Sequence, residues 1–268
     1  MKKIIIVLCL VLVLLLIAVS SCAENDPYAL QSLYSCTECT VIRKGEIHIR
    51  AFSQIMNIGT KPAWSGGFWG HLTHWDPDAQ DIKTVYQITE PILGRMVPAV
   101  LQPGQTGYAE IEFDIKDSSL YNQYMAGNEG FSFIWYSPVG LPAKSKTAEF
   151  NVEGKLLQKS FGVSESGKKT PVWDVNIDAK NTTGHHIKDP TVVLVFGRDE
   201  QTFLSYDAMI FVDYPGIAVS ANDFLSATYR FDEIKLPKIV QYLNDSSAQD
   251  LLDRCELLDV IVSGTPVD

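Results

Sequence analysis

The run Gly70-His71-Leu72-Thr73-His74-Trp75-Asp76 is the part of this chain whose residue types come nearest to a chemical site. Two histidines three apart share a metal ion where the backbone coils between them, and Asp76 would then be the third ligand. On an extended backbone, side chains three apart leave opposite faces. The alternation around this run predicts a strand, so ordinary histidines are the simpler reading. His185-His186 could add ligands only from a loop, because neighbours on extended backbone diverge. Asp76, Asp78 and Asp81 space oxygen ligands along one turn, yet lack the glycine and the closing glutamate of a calcium loop. A hairpin turn set by Asp and Pro accounts for them as well. Cys36 and Cys39 form a C-x-x-C, which outside a reducing cytosol favours a local disulfide. Free thiols, a redox pair or a metal site are the alternatives, and the following Thr40-Val41-Ile42 reads as strand rather than as the helix a redox motif needs. Cys255 stands apart, as a buried, inert thiol. No Gly-x-Ser-x-Gly elbow and no phosphate-binding glycine loop occurs in the sequence. Glu110 and Glu112 read as the solvated face of a strand.

The N-terminus states an address. Met1-Lys2-Lys3 precedes an unbroken apolar run from Ile4 to Val19, and then come Ser20, Ser21 and Cys22. That is the layout of a signal peptide, slightly short for a resting membrane span and ended by the polar Ala23-Glu24-Asn25-Asp26-Pro27. Val19-Ser20-Ser21-Cys22 resembles the lipobox of bacterial lipoproteins. The resemblance implies cleavage before Cys22 and acylation of that cysteine, and two or more acyl chains anchor stably. The remainder is then extracytoplasmic, on the cell membrane or on an outer membrane if the host has one. An ordinary secretory signal or an uncleaved anchor is the alternative.

Composition bounds the partners. The whole chain carries −10, and losing Lys2 and Lys3 with the signal leaves about −12. Such a surface argues against nucleic acid and against clinging to anionic headgroups. A hydrophobic fraction of 46% is enough for well-packed cores.

Most of the chain reads as short strands. Glu46 to Ile55 alternates polar and apolar and stops at the turn cluster Asn57 to Pro62. Gly67 to Trp75 and Ile82 to Ile88 flank an acidic turn as a hairpin. Tyr108 to Ile115 and Phe131 to Tyr136 follow. Val172 to Ala179 alternates and stops at Asn181. Thr191 to Phe196 is continuously apolar, as a buried strand would be, and Thr202 to Val212 and Asp223 to Phe231 complete the set. Ile239 to Leu258 suggests a short helix, then a closing strand. The second half thus repeats the first, Asn181 matching Asn57, with a join near Ala143 to Gly154. This predicts an all-β chain of two tandem β-sandwich modules: signal peptide 1–21, lipidated tether 22–40, first sandwich 41–146 and second sandwich 147–268. The order of strands and turns is similar to the immunoglobulin-like domains of bacterial envelope lipoproteins, the FxLYD-type domains among them. Phe203-Leu204-Ser205-Tyr206-Asp207 only approximates that family's namesake string. Such families imply no shared catalytic residues and no cofactor.

Trp64, Phe68, Trp69 and Trp75 could form a ligand platform, although large aromatics mostly fill cores. The expectation is therefore a membrane-anchored module that binds or scaffolds rather than catalyses, with an envelope protein or wall polymer as partner. The rival is a metal-binding envelope protein or enzyme using His71, His74 and Asp76.

Overall fold

The computed structural model describes residues 26–76, 79–126, 131–143, 146–163, 167, 169–200, 203–231, 249, 252–253 and 255–267. The chain is all-β, with paired sheets packed as sandwiches. In the first half, β1 (Leu30–Arg43), β2 (Glu46–Asn57), β8 (Thr106–Lys116), β7 (Ile92–Val97) and β4 (Gly67–Phe68) lie side by side in that order. Facing them is a sheet of β6 (Asp81–Gln87), β5 (Gly70–Asp76) and β9 (Ser132–Trp135). A short pair joins β3 (Ala63–Trp64) to β10 (Leu141–Pro142). The helix α1 (Ser118–Met125) starts at Asp117, whose Oδ1 accepts from the Ser119 and Leu120 amides at 2.7 and 3.0 Å.

The second half repeats the scheme. β12 (Asn151–Val163), β13 (Lys169–Lys180) and β17 (Phe224–Phe231) form one sheet. Its partner runs β11 (Ala148–Glu149), β18 (Cys255–Val267), β14 (His186–Glu200) and β15 (Phe203–Asp213), with β16 (Ala218–Val219) also on β14. The correspondence is strand for strand. β1-β2-β8 answers β12-β13-β17, and β6-β5-β9 answers β15-β14-β18.

The two buried asparagines confirm the match at atomic detail. Asn57 Nδ2 donates to the carbonyls of Lys61 (2.9 Å) and Leu101 (2.8 Å), and its Oδ1 accepts from Gly59 N–H. Asn181 Nδ2 donates to His185 (2.8 Å), Val219 and Ser220 (3.0 Å each), and its Oδ1 accepts from Thr183 N–H. Each asparagine thereby ties its strand end to a turn much later in the chain. Both turns carry a left-handed residue, Gly104 and Asn222, the residue types that tolerate positive φ.

Each sheet pair closes on its own core. Ile47, Ile49, Leu72, Ile111 and Phe133 are among the buried residues of the first. Trp173, Val175, Leu194, Phe196 and Val262 are among those of the second. A third buried cluster joins the halves: Phe52, Val97 and Tyr108 meet Val193, Val195, Met209 and Phe211. The molecule is therefore a stack of four sheet layers, in which β2 and β14 belong to the two inner ones. This explains the apolar run Val192 to Phe196. Val192, Leu194 and Phe196 enter the second core, while Val193 and Val195 enter the joint.

Two expectations are corrected. The segment read as a tether over residues 22–40 is already sheet from Leu30, because β1 pairs with β2 along its whole length. Its polar residues are those of a sheet edge, not of a free linker. The local disulfide between Cys36 and Cys39 is not made. On β1 they stand opposite Phe52 and Ile49 respectively. Cys36 thus packs on the joint and Cys39 inside the first core. At ~3.3 Å per strand residue, their Cα atoms are ~10 Å apart, beyond disulfide reach.

Candidate functional site at the joint

Beside the joint, the outward face of the β1-β2-β8-β7 sheet gathers six charged side chains. Arg50 is the hub. Its guanidinium reaches Glu110 at 2.5 Å, Glu112 at 2.7 Å and Glu38 at 3.2 Å. Arg95 holds the other oxygen of Glu110 at 2.6 Å and also pairs with Asp213 from the second half. The two cations also bracket an aromatic stack. Arg50 lies 5.0 Å from the Phe52 ring centre and Arg95 4.8 Å from that of Phe211. The two rings are 6.1 Å apart and nearly parallel. The register sets this up: Glu38, Arg50 and Glu112 stand opposite one another across β1-β2-β8, and Arg95 is opposite Glu110 on β7-β8.

Four carboxylates face two guanidiniums here, so the cluster is net acidic. Glu110 is only 5% exposed and is neutralised by both arginines, which keeps a buried charge tolerable. Burial pushes the Glu38 carboxyl up to about 7, against the attraction of Arg50. An open hollow of about 340 Å³, lined by Leu93, Gly94, Arg95, Glu110 and Glu112, lies next to the cluster. Chemically the cluster can lock the two halves together and present acid to a basic group. Glu110 is corrected from a solvated strand residue to a buried one. The sequence shows its alternation, but not that β7 and the second half cover it.

The residues singled out from the sequence lie elsewhere. His71 and His74 leave opposite faces of β5. His71 Nδ1 is 3.1 Å from the exposed Tyr136 hydroxyl. The His74 ring turns towards Phe131, at 5.7 Å between ring centres, and its Nδ1 has no hydrogen-bond partner among the described residues. Asp76 pairs with Lys83 and caps the Ala79 amide at 3.1 Å, and Asp81 Oδ1 accepts from the Ile82 amide. These are turn contacts, while Asp78 is outside the described residues. His186 opens β14, opposite Val267, and the His185 carbonyl serves Asn181. Among the described residues no three His, Cys, Asp or Glu side chains are grouped to hold a metal ion. Phe68 is wholly buried, edge-on to Trp135 at 5.3 Å. Trp64 and Trp69 pack against the first core, so these three form no open platform. Cys22 lies outside the described residues.

The chain matches no protein-family model and no curated protein.

Proposed function

We propose that the chain is a lipoprotein whose residues 1–21 are removed on export and whose Cys22 carries lipid. Two immunoglobulin-like modules then act outside the cytoplasm by binding or scaffolding, with an envelope protein or wall polymer as partner. The observation that best supports this reading is the joint. Phe52, Tyr108, Val193 and Met209 are buried between the halves, and Arg95 bridges Glu110 to Asp213 across them. Buried apolar surface and charge are spent on fixing one sheet pair against the other, as a rigid presenting unit requires, rather than on lining a cleft with reactive groups. The length of the leader fits as well. Seven residues lie between Cys22 and Leu30, a span of at most ~29 Å from Cα to Cα, so the block stands at the membrane surface.

The test is expression of the full chain in a bacterial host beside Cys22→Ala. The lipidated chain is expected in the detergent phase and the variant in the aqueous phase. The lipidated chain is also expected to bind isolated wall polymer, or one envelope protein, saturably. A Cys22→Ala chain that partitions like wild type refutes the anchor. Absence of saturable binding to every envelope fraction refutes the scaffold.

A further inference from the structure

We infer that the end of the first sheet pair built from Tyr28, Ile58, Val139 and Leu141 lies against the lipid bilayer that holds Cys22. The inference rests on the lipoprotein reading and goes beyond it, since an anchored chain is free to stand away from its membrane.

Three segments remote in sequence meet at this end. The Pro27 carbonyl accepts from the amides of Thr60 (3.0 Å) and Lys61 (2.8 Å), and the Ala29 carbonyl accepts from Ile58 (3.0 Å) and Gly59 (3.1 Å). The segment leading from Cys22 is thereby laid onto the turn after β2. On its other side runs Gly140, where an added Cβ would come within 1.6 Å of the Tyr28 carbonyl oxygen. Leu141 is fixed there by pairing with Trp64. The side chains left outward are apolar: Val139 is 56% exposed, Leu141 43% and Ile58 38%. The Lys61 ammonium stands 5.8 Å over the Tyr28 ring. Aliphatic groups beside a tyrosine and a lysine make the chemistry of the membrane–water interface, where rings sit at headgroup depth and lysine reaches back to water.

The chain length selects the occupant. Five residues lie between Cys22 and Tyr28, so even fully extended the chain holds this end within ~22 Å of the Cys22 backbone. Leu156 and Val163 on β12 are exposed as well, but they belong to the outermost layer of the other sheet pair. A few aliphatic side chains bind a bilayer weakly on their own. A short tether supplies them at millimolar effective concentration, which makes weak contact sufficient. The net acidity of the chain makes zwitterionic lipid the expected surface.

The experiment uses the lipidated full chain in phosphatidylcholine vesicles with and without bromine on the acyl chains. Added tryptophans report depth in V139W, I58W and V163W, each against the wild-type background. Flotation with the vesicles verifies the anchor. The expected result is loss of about half the added fluorescence in V139W and I58W, and no loss in V163W. Chains that float while V139W and I58W stay as bright as V163W overturn the inference alone, and leave this end facing solvent or a protein. Chains that fail to float overturn the lipoprotein reading and this inference with it.

Discussion

Phe52→Ala tests the four-layer stack. Phe52 sits on the face of β2 turned away from the first core, yet it is wholly buried because Phe211 covers it. Removing a fully buried phenyl from a packed site costs about 3–5 kcal/mol. Were the two sheet pairs merely strung on a linker, Phe52 would be a surface residue, and its truncation would fall within ~0.5 kcal/mol of neutral. The two cases differ by several kcal/mol, well outside the error of urea denaturation. The assay follows tryptophan fluorescence and far-UV circular dichroism on the full chain. A double-mutant cycle with Phe211→Ala isolates the contact itself, and a stacked aromatic pair predicts a coupling of about 0.5–1.5 kcal/mol. A Phe52→Ala cost below ~1 kcal/mol, or a coupling indistinguishable from zero, refutes the packing of the halves through this face.

Other consequences follow from the same contacts. Asn57→Ala and Asn181→Ala each orphan buried or half-buried carbonyls and an amide, so each lowers stability by about 2–4 kcal/mol in the same denaturation assay, and a marked inequality would break their structural equivalence. Glu38 has a carboxyl raised from 4.5 to about 7 in the fold. The folded chain therefore keeps a proton that the unfolded chain releases over that range, and a cost of burying charge develops as pH rises through it. Glu38→Gln is then neutral near pH ~4 and stabilising on the order of 2 kcal/mol near pH ~8, and an equal effect at both values would sink the account. Cys36 and Cys39, on opposite faces of β1, are each alkylated in denaturant without prior reductant. Mass spectrometry that finds them protected as a pair would contradict the register of β1. Gly140→Ala drives a Cβ into the Tyr28 carbonyl and destabilises by about 1–3 kcal/mol, with faster proteolysis near Tyr28 as the second readout.

The strands were legible because alternation is a local property of a half-buried sheet. Glu46 to Ile55 and Val172 to Ala179 are strand throughout, Ile82 to Ile88 is strand as far as Gln87, and Asp223 to Phe231 is strand from Phe224. The internal repeat was legible too, since Asn57 and Asn181 are needed at the same turn of the same scheme. The six-residue charge cluster was not. Arg50 meets Glu110 sixty residues away and Arg95 meets Asp213 at 118, and nothing local distinguishes these from solvated charges. The histidine run drew attention for residue type alone, whereas the pleat sends His71 and His74 apart.

What the sequence by itself determined is the all-β pattern and the repeat of strands and turns. These follow from period, turn chemistry and charge read along a few residues at a time. Only the tertiary structure decided that the sheet pairs stack, that Glu110 and Phe52 are buried, that Cys36 and Cys39 part company, and that Ile58, Val139 and Leu141 gather around Tyr28. Each of those depends on which faces meet, and residues distant in the chain set that by packing and register rather than by spacing.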